Sequence, residues 1–107
     1  MGPLKMTDEQ LNGIAMKMLT YSGKAKSILS DLMDHLNSSS HDSDIDAQLN
    51  EAHQWLVQAH QQQNLVIAEA ETVGYSLLFT HAQDTLMNTE TIEFVIRKSI
   101  AAFTNHS

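Results

Sequence analysis

Apolar residues return every three or four positions through three long stretches of the chain. This is the period of an α-helix with one face turned inward. The first stretch carries Leu11, Ile14, Ala15, Met18, Ala25, Ile28, Leu29, Leu32, Met33 and Leu36. The second carries Ile45, Leu49, Ala52, Leu56, Ala59, Val66 and Ala70, and the third runs from Leu77 to about Phe103. Proline occurs only at Pro3 and glycine only at Gly2, Gly13, Gly23 and Gly74, so few breakers interrupt the pattern. The pattern predicts an all-α protein of three helices.

Local chemistry marks the helix ends. Thr7 with Gln10 has the spacing of a capping box, in which each side chain covers a backbone N–H of the first turn. The polar run Asn37-Ser38-Ser39-Ser40-His41-Asp42-Ser43 predicts a loop, with Ser43 or Asp44 capping the second helix. Gly74 marks a second turn, and Ser76 is the expected cap of the third helix. Gly23 falls inside the first helix, where glycine costs roughly 1 kcal/mol relative to alanine, so close approach of another backbone is expected there. The six methionines read as core filler.

Three helices of about 25–30 residues, each roughly 40–45 Å long, predict an antiparallel up-down-up three-helix bundle. The third helix is apolar around more than half its circumference, with Leu77, Leu78, Phe79, Leu86, Met87, Ile92, Phe94, Val95, Ile96, Ile100 and Phe103. One core cannot absorb all of these, so self-association through this helix is expected.

The same helix contains His81 and Asp84, one turn apart. The period places them on a face with Leu77, Leu78, Thr85, Asn88, Ile92, Val95 and Ile96. Burying unpaired charge in such a stripe is costly. Either the pair is satisfied against another surface, or it does chemistry. The commoner case is a structural histidine hydrogen-bonded to a nearby carboxylate. The sharper case uses the lone pair of a neutral imidazole to accept a phosphoryl group or a metal.

Composition narrows the classes. The chain has 107 residues, enough for one domain, read as residues 7–104, with 1–6 a tag remnant or disordered N-terminus. Cysteine is absent, which removes disulfides, zinc–thiolate sites and thiol nucleophiles and suits a reducing compartment. The net charge of −7, with six Lys and Arg, disfavours nucleic acid and anionic membrane surfaces. The apolar runs fall short of the roughly 20 residues of a spanning helix, and no basic-then-apolar leader precedes the first helix. A soluble cytoplasmic protein is expected.

Other candidates are weaker. His53 and His60 share a face of the second helix but lie about 10 Å apart along its axis, too far for one metal. His35, His41 and His106 fall in loop or terminal positions. Asp42, Asp44 and Asp46 alternate like the start of a calcium loop without its glycine and distal glutamate, and helix capping explains them better.

The segment Leu77-Leu78-Phe79-Thr80-His81-Ala82-Gln83-Asp84-Thr85-Leu86-Met87 resembles the signature of the lactose/cellobiose-type IIA component of the bacterial phosphoenolpyruvate-dependent sugar phosphotransferase system. Tyr21-Ser22-Gly23-Lys24-Ala25-Lys26 and Gln58-Ala59-His60-Gln61-Gln62-Gln63 resemble that family's patches on the first and second helices, and the resemblance spans about residues 11–103. It implies a nine-helix homotrimer. In that reading His81 accepts a phosphoryl group from phospho-HPr and passes it to the IIB component, for uptake and phosphorylation of a β-disaccharide. Membrane contact is indirect, through the IIC component. Asp84 matches the aspartate that family trimers gather on the threefold axis around a metal ion, usually Mg2+, and Gln83 is a candidate to orient a phosphoryl oxygen.

The chain departs from the family at Thr85, where a second histidine is usual, and at Glu90 and Glu93, where members more often carry an apolar or basic residue. The Thr85 hydroxyl remains a candidate donor to a phosphoryl oxygen. Two alternatives stand beside this reading. One is a non-catalytic helical interaction or regulatory module with an internal His81–Asp84 hydrogen bond. The other is a metal-binding bundle using both side chains as ligands.

Overall fold

The computed structural model describes residues 6–36, 42–68 and 76–105. They form three α-helices, α1 (Asp8–Asp34), α2 (Asp42–Ile67) and α3 (Leu77–Asn105), and no strand occurs among them.

The helix starts follow their caps. Thr7 Oγ1 accepts from the Gln10 N–H at 3.0 Å, and Gln10 Oε1 accepts from the Thr7 N–H at 2.8 Å, which completes the capping box. Asp8 and Glu9 in the first turn suit the positive end of the α1 dipole. Ser76 caps α3, its Oγ accepting from the Phe79 N–H at 3.0 Å. The α2 expectation needs correction: the helix begins at Asp42, so Ser43 and Asp44 already lie within its first turn. Carboxylates at Asp42 and Asp44 are favourable there for the same electrostatic reason. Gly74 and Ala70 lie outside the described residues, as do residues 1–5 of the N-terminal segment.

The core is built from three stripes. Leu11, Ala15, Met18, Ala25, Leu29 and Leu32 come from α1, and Ile45, Leu49, Ala52, Leu56, Ala59 and Val66 from α2. Alpha-3 contributes Ala82, Leu86 and Ile96, with Thr89 also buried. Each fully buried leucine contributes roughly 1.5–3 kcal/mol relative to exposure. Tyr21 stacks on Trp55 at 5.6 Å between ring centroids, and the Lys24 ammonium lies 4.5 Å from the Trp55 ring centroid, which ties α1 to α2.

Polar contacts join α2 to α3. Arg97 Nη2 donates to the Leu49 carbonyl at 3.1 Å, His53 faces Glu93 and His60 faces Glu90. Residue numbers therefore rise along α2 as they fall along α3. Asp8, Leu11 and Asn12 share a cleft with Ser76, Leu77 and Leu78, so α1 and α3 begin at the same end.

Three expectations change. The buried face of α3 runs through Ala82, Leu86, Thr89, Glu93 and Ile96, not through His81, Asp84 and Val95, which are exposed. Gly23 lies on the outer side of α1, and a Cβ there would meet nothing within 4 Å, so no close backbone approach requires it. Of the methionines, Met18 is core, whereas Met16, Met33 and Met87 are exposed.

Candidate functional site

His81 lies in the second turn of α3 and Asp84 one turn further on, and both side chains face outward. Among the described residues neither has a hydrogen-bond or ion-pair partner. The internal His81–Asp84 hydrogen bond expected of an interaction module is therefore not formed. Nor does any group of three His, Cys, Asp or Glu residues come together to hold a metal among the described residues.

The outer side of α3 carries exposed apolar residues along its length: Leu77 is 72% exposed, Phe94 61% and Phe103 80%, with Met87 and Val95 also largely exposed. At about 100° of rotation per residue, Asp84 falls near the middle of the stripe formed by Leu77, Met87, Phe94 and Val95. His81 falls at its edge on the α1 side, next to Ile92. This outward stripe is the surplus apolar surface anticipated from the sequence, and a face of this kind marks an interaction surface.

The threonines beside the pair are committed to the helix. Thr85 Oγ1 donates to the His81 carbonyl at 2.9 Å, Thr80 to the Ser76 carbonyl at 3.0 Å, and Thr89 to the Thr85 carbonyl at 2.7 Å. The Thr85 proton is thus used on the backbone, and its lone pairs are what remain for a ligand. Gln83 is half-buried, and two residues represent about 200° of rotation, so it leaves α3 on a different side from His81.

The histidines of α2 have a role that the sequence analysis missed. His53 Nδ1 lies 3.1 Å and 3.3 Å from the two oxygens of Glu93, and His60 Nε2 lies 2.6 Å from Glu90 Oε2. In each case the carboxylate accepts from the imidazole N–H. Arg97 Nη2 is 3.7 Å from Glu93 Oε2, so the well-buried Glu93 carboxylate has two cationic or donor partners. The signal was present: two glutamates on an apolar helix and two histidines seven apart on its neighbour. Pairing them required knowing which helix faces met.

The patch at Tyr21–Lys26 divides between core and surface. Ser22 and Ala25 are buried, while Gly23, Lys24 and Lys26 are exposed. Ser22 Oγ is fully buried and has no hydrogen-bond partner among the described residues. The His60 patch likewise turns Ala59 inward and Gln58 and Gln61 outward, with His60, Gln62 and Gln63 half-buried.

The three-helix chain thus presents an outward histidine and carboxylate on its last helix. The family model described as the PTS system, Lactose/Cellobiose specific IIA subunit, matches residues 13–104, and the chain belongs to that family. It is thereby a component of a sugar phosphotransferase system, with a phosphocarrier role and phosphotransferase activity in general. No curated protein and no solved structure matches the chain. Among the described residues no helix is long and apolar enough to cross a membrane.

Proposed function

We propose that the protein accepts a phosphoryl group from phospho-HPr on His81 and passes it to the IIB component. The sugar that is finally phosphorylated is a β-disaccharide of the lactose, cellobiose or chitobiose class. One observation carries this reading: in a chain of this family, the signature imidazole is outward-facing and unpartnered, so a ring nitrogen is open to an incoming phosphorus.

The transfer is a displacement at phosphorus. The His81 nitrogen lone pair forms the new N–P bond as the N–P bond of the donor phosphohistidine breaks, and the donor imidazole leaves neutral. In the second transfer a cysteine thiolate of IIB forms an S–P bond and His81 recovers its lone pair. Such transfers need positioning and charge stabilisation more than covalent machinery. The chain is acidic overall, so charge steering of an acidic partner is disfavoured and docking rests mainly on apolar contact.

The three helices, in antiparallel up-down-up order, assemble as a nine-helix homotrimer through the outward stripe of α3. One protomer places a single unpartnered carboxylate, Asp84, in the middle of this stripe. Three copies would bring three carboxylates together in an apolar seam, which demands a counter-charge. A hard divalent cation with oxygen ligands, Mg2+ in this reading, would supply it and hold the subunits together. Around such an axis the flank bearing Gln83 on one copy meets the flank bearing His81 on the next, so Gln83 orients a phosphoryl oxygen across the subunit boundary. The protein acts in the cytoplasm and meets the membrane only through IIC.

Incubation with phosphoenolpyruvate, Enzyme I and HPr tests the reading. Acid-labile phosphate should appear on His81 and be lost in His81→Gln. Phosphate on a different side chain, or none, overturns it.

A further inference from the structure

A side chain on an α-helix leans back towards the helix N-terminus and covers the turn before its own Cα. For His81 that turn holds Leu77 and Leu78. At about 100° of rotation per residue, His81 falls between them, roughly 40° from Leu77 and roughly 60° from Leu78 on the other side. The imidazole therefore stands at the rim of the cleft that Ser76, Leu77 and Leu78 form with Asp8, Leu11 and Asn12 of α1. Because α1 and α3 begin at the same end, Asn12 leans towards the same end as His81. The cleft holds about 260 Å3, several times the roughly 30 Å3 of a water molecule, so a phosphoryl group has room beside the ring.

A protein-bound phosphoryl group carries roughly two negative charges at neutral pH and three acceptor oxygens. The cleft offers it no cation: neither Lys nor Arg lines it, and Asp8 is a carboxylate. Leu11, Leu77 and Leu78 have no polar side-chain atom. Ser76 Oγ is engaged by the Phe79 N–H as the cap of α3. Asn12 is what remains. Its side chain is exposed, and among the described residues it has no hydrogen-bond partner. Its amide brings two N–H donors and no net charge.

We propose that Asn12 orients the phosphoryl group on His81, its side-chain amide donating to a phosphoryl oxygen across the cleft between α1 and α3. The proposal rests on the phosphocarrier reading for the group that Asn12 meets. A neutral donor fixes the direction of that group without the hold of an ion pair, which suits a group that must leave again.

The experiment uses the full chain, Asn12→Ala and Asn12→Asp, with His81→Gln to assign signals. Phosphoramidate phosphorylates imidazole without a protein partner. The ring nitrogen forms the new N–P bond as the N–P bond of the reagent breaks and ammonia leaves. Phosphorus NMR follows the titration of the phosphoryl group, and the His81 signal is the one that His81→Gln lacks. A donor to the dianion favours the charged form and lowers the midpoint. Asn12→Ala should therefore raise it, by roughly half to one pH unit. Asn12→Asp places a second carboxylate in the cleft and should raise it further. Both variants should keep parental helix content, since Asn12 is exposed. Asn12→Ala at the parental midpoint overturns the proposal, as does Asn12→Asp at or below it.

A second measurement needs no variant fold. In the parent, the Asn12 side-chain amide signal should move when His81 is phosphorylated, and an unmoved signal overturns the proposal. So does a parent whose His81 takes no phosphoryl group from the reagent. Phosphate delivered by phosphoenolpyruvate, Enzyme I and HPr is read separately. If the relay leaves the parent unlabelled, the proposed function fails while the chemically phosphorylated chain still reads the Asn12 contact. If the relay labels His81 and the midpoint is indifferent to Asn12, the contact alone fails.

Discussion

His60 Nε2 and Glu90 Oε2 lie 2.6 Å apart across the seam between α2 and α3, and both side chains keep substantial contact with solvent. Two turns earlier on α2, His53 meets Glu93, whose carboxylate is largely withdrawn from water and also faces Arg97. The same residue types therefore form one solvated pair and one cluster around a buried carboxylate on a single seam.

Their energetic weights should differ accordingly. Glu93→Ala removes a buried carboxylate that both His53 and Arg97 contact, together with its packing, and should cost about 1–3 kcal/mol. Glu90→Ala breaks an exposed pair and should cost less than about 1 kcal/mol. Urea denaturation of both variants checks the order, and equal losses would contradict it.

Ser22 carries a fully buried hydroxyl with no partner among the described residues. Removing an unsatisfied polar group from a core relieves its desolvation cost, so Ser22→Ala should be neutral or stabilising, by up to about 1–2 kcal/mol. A clear loss of stability would show that the hydroxyl is satisfied in solution.

Gly23 faces outward on α1, with open space where a Cβ would stand. Gly23→Ala should therefore stabilise the protein by about 0.5–1 kcal/mol, chiefly by restricting the unfolded chain. Thermal unfolding monitored by circular dichroism checks the sign.

Phe94 lies on the outward stripe of α3 and is mostly exposed in the protomer. A charge there should leave the three-helix fold nearly untouched, within about 0.5 kcal/mol, while disrupting a seam between copies. Sedimentation of Phe94→Asp should give the mass of a single chain with parental helical content, where the parent is expected to sediment as a trimer. A variant that keeps the parental mass would place the subunit contact elsewhere.

Much of the architecture was legible in the residues themselves. The capping box at Thr7 and Gln10, the Ser76 cap and the stripes of α1 and α2 are local patterns, because backbone N–H satisfaction and the helical period act over three or four residues. The candidate histidine was legible for the same reason, since His81 and Asp84 stand one turn apart wherever the helix points. The inward face of α3 was not. Its apolar residues surround the helix, so periodicity offered several faces of similar quality, and the one chosen turned His81 and Asp84 inward.

Tertiary structure settled that choice through contacts between residues far apart in the chain. Glu93 finds His53 and Arg97 finds the Leu49 carbonyl, while Leu78, Phe79, Ala82, Leu86, Ile92, Ile96 and Ile100 pack on the core, and in that arrangement the imidazole faces outward. A helix's existence follows from neighbours along the chain. Its rotation depends on what the adjacent helices hold opposite it, which no local pattern carries.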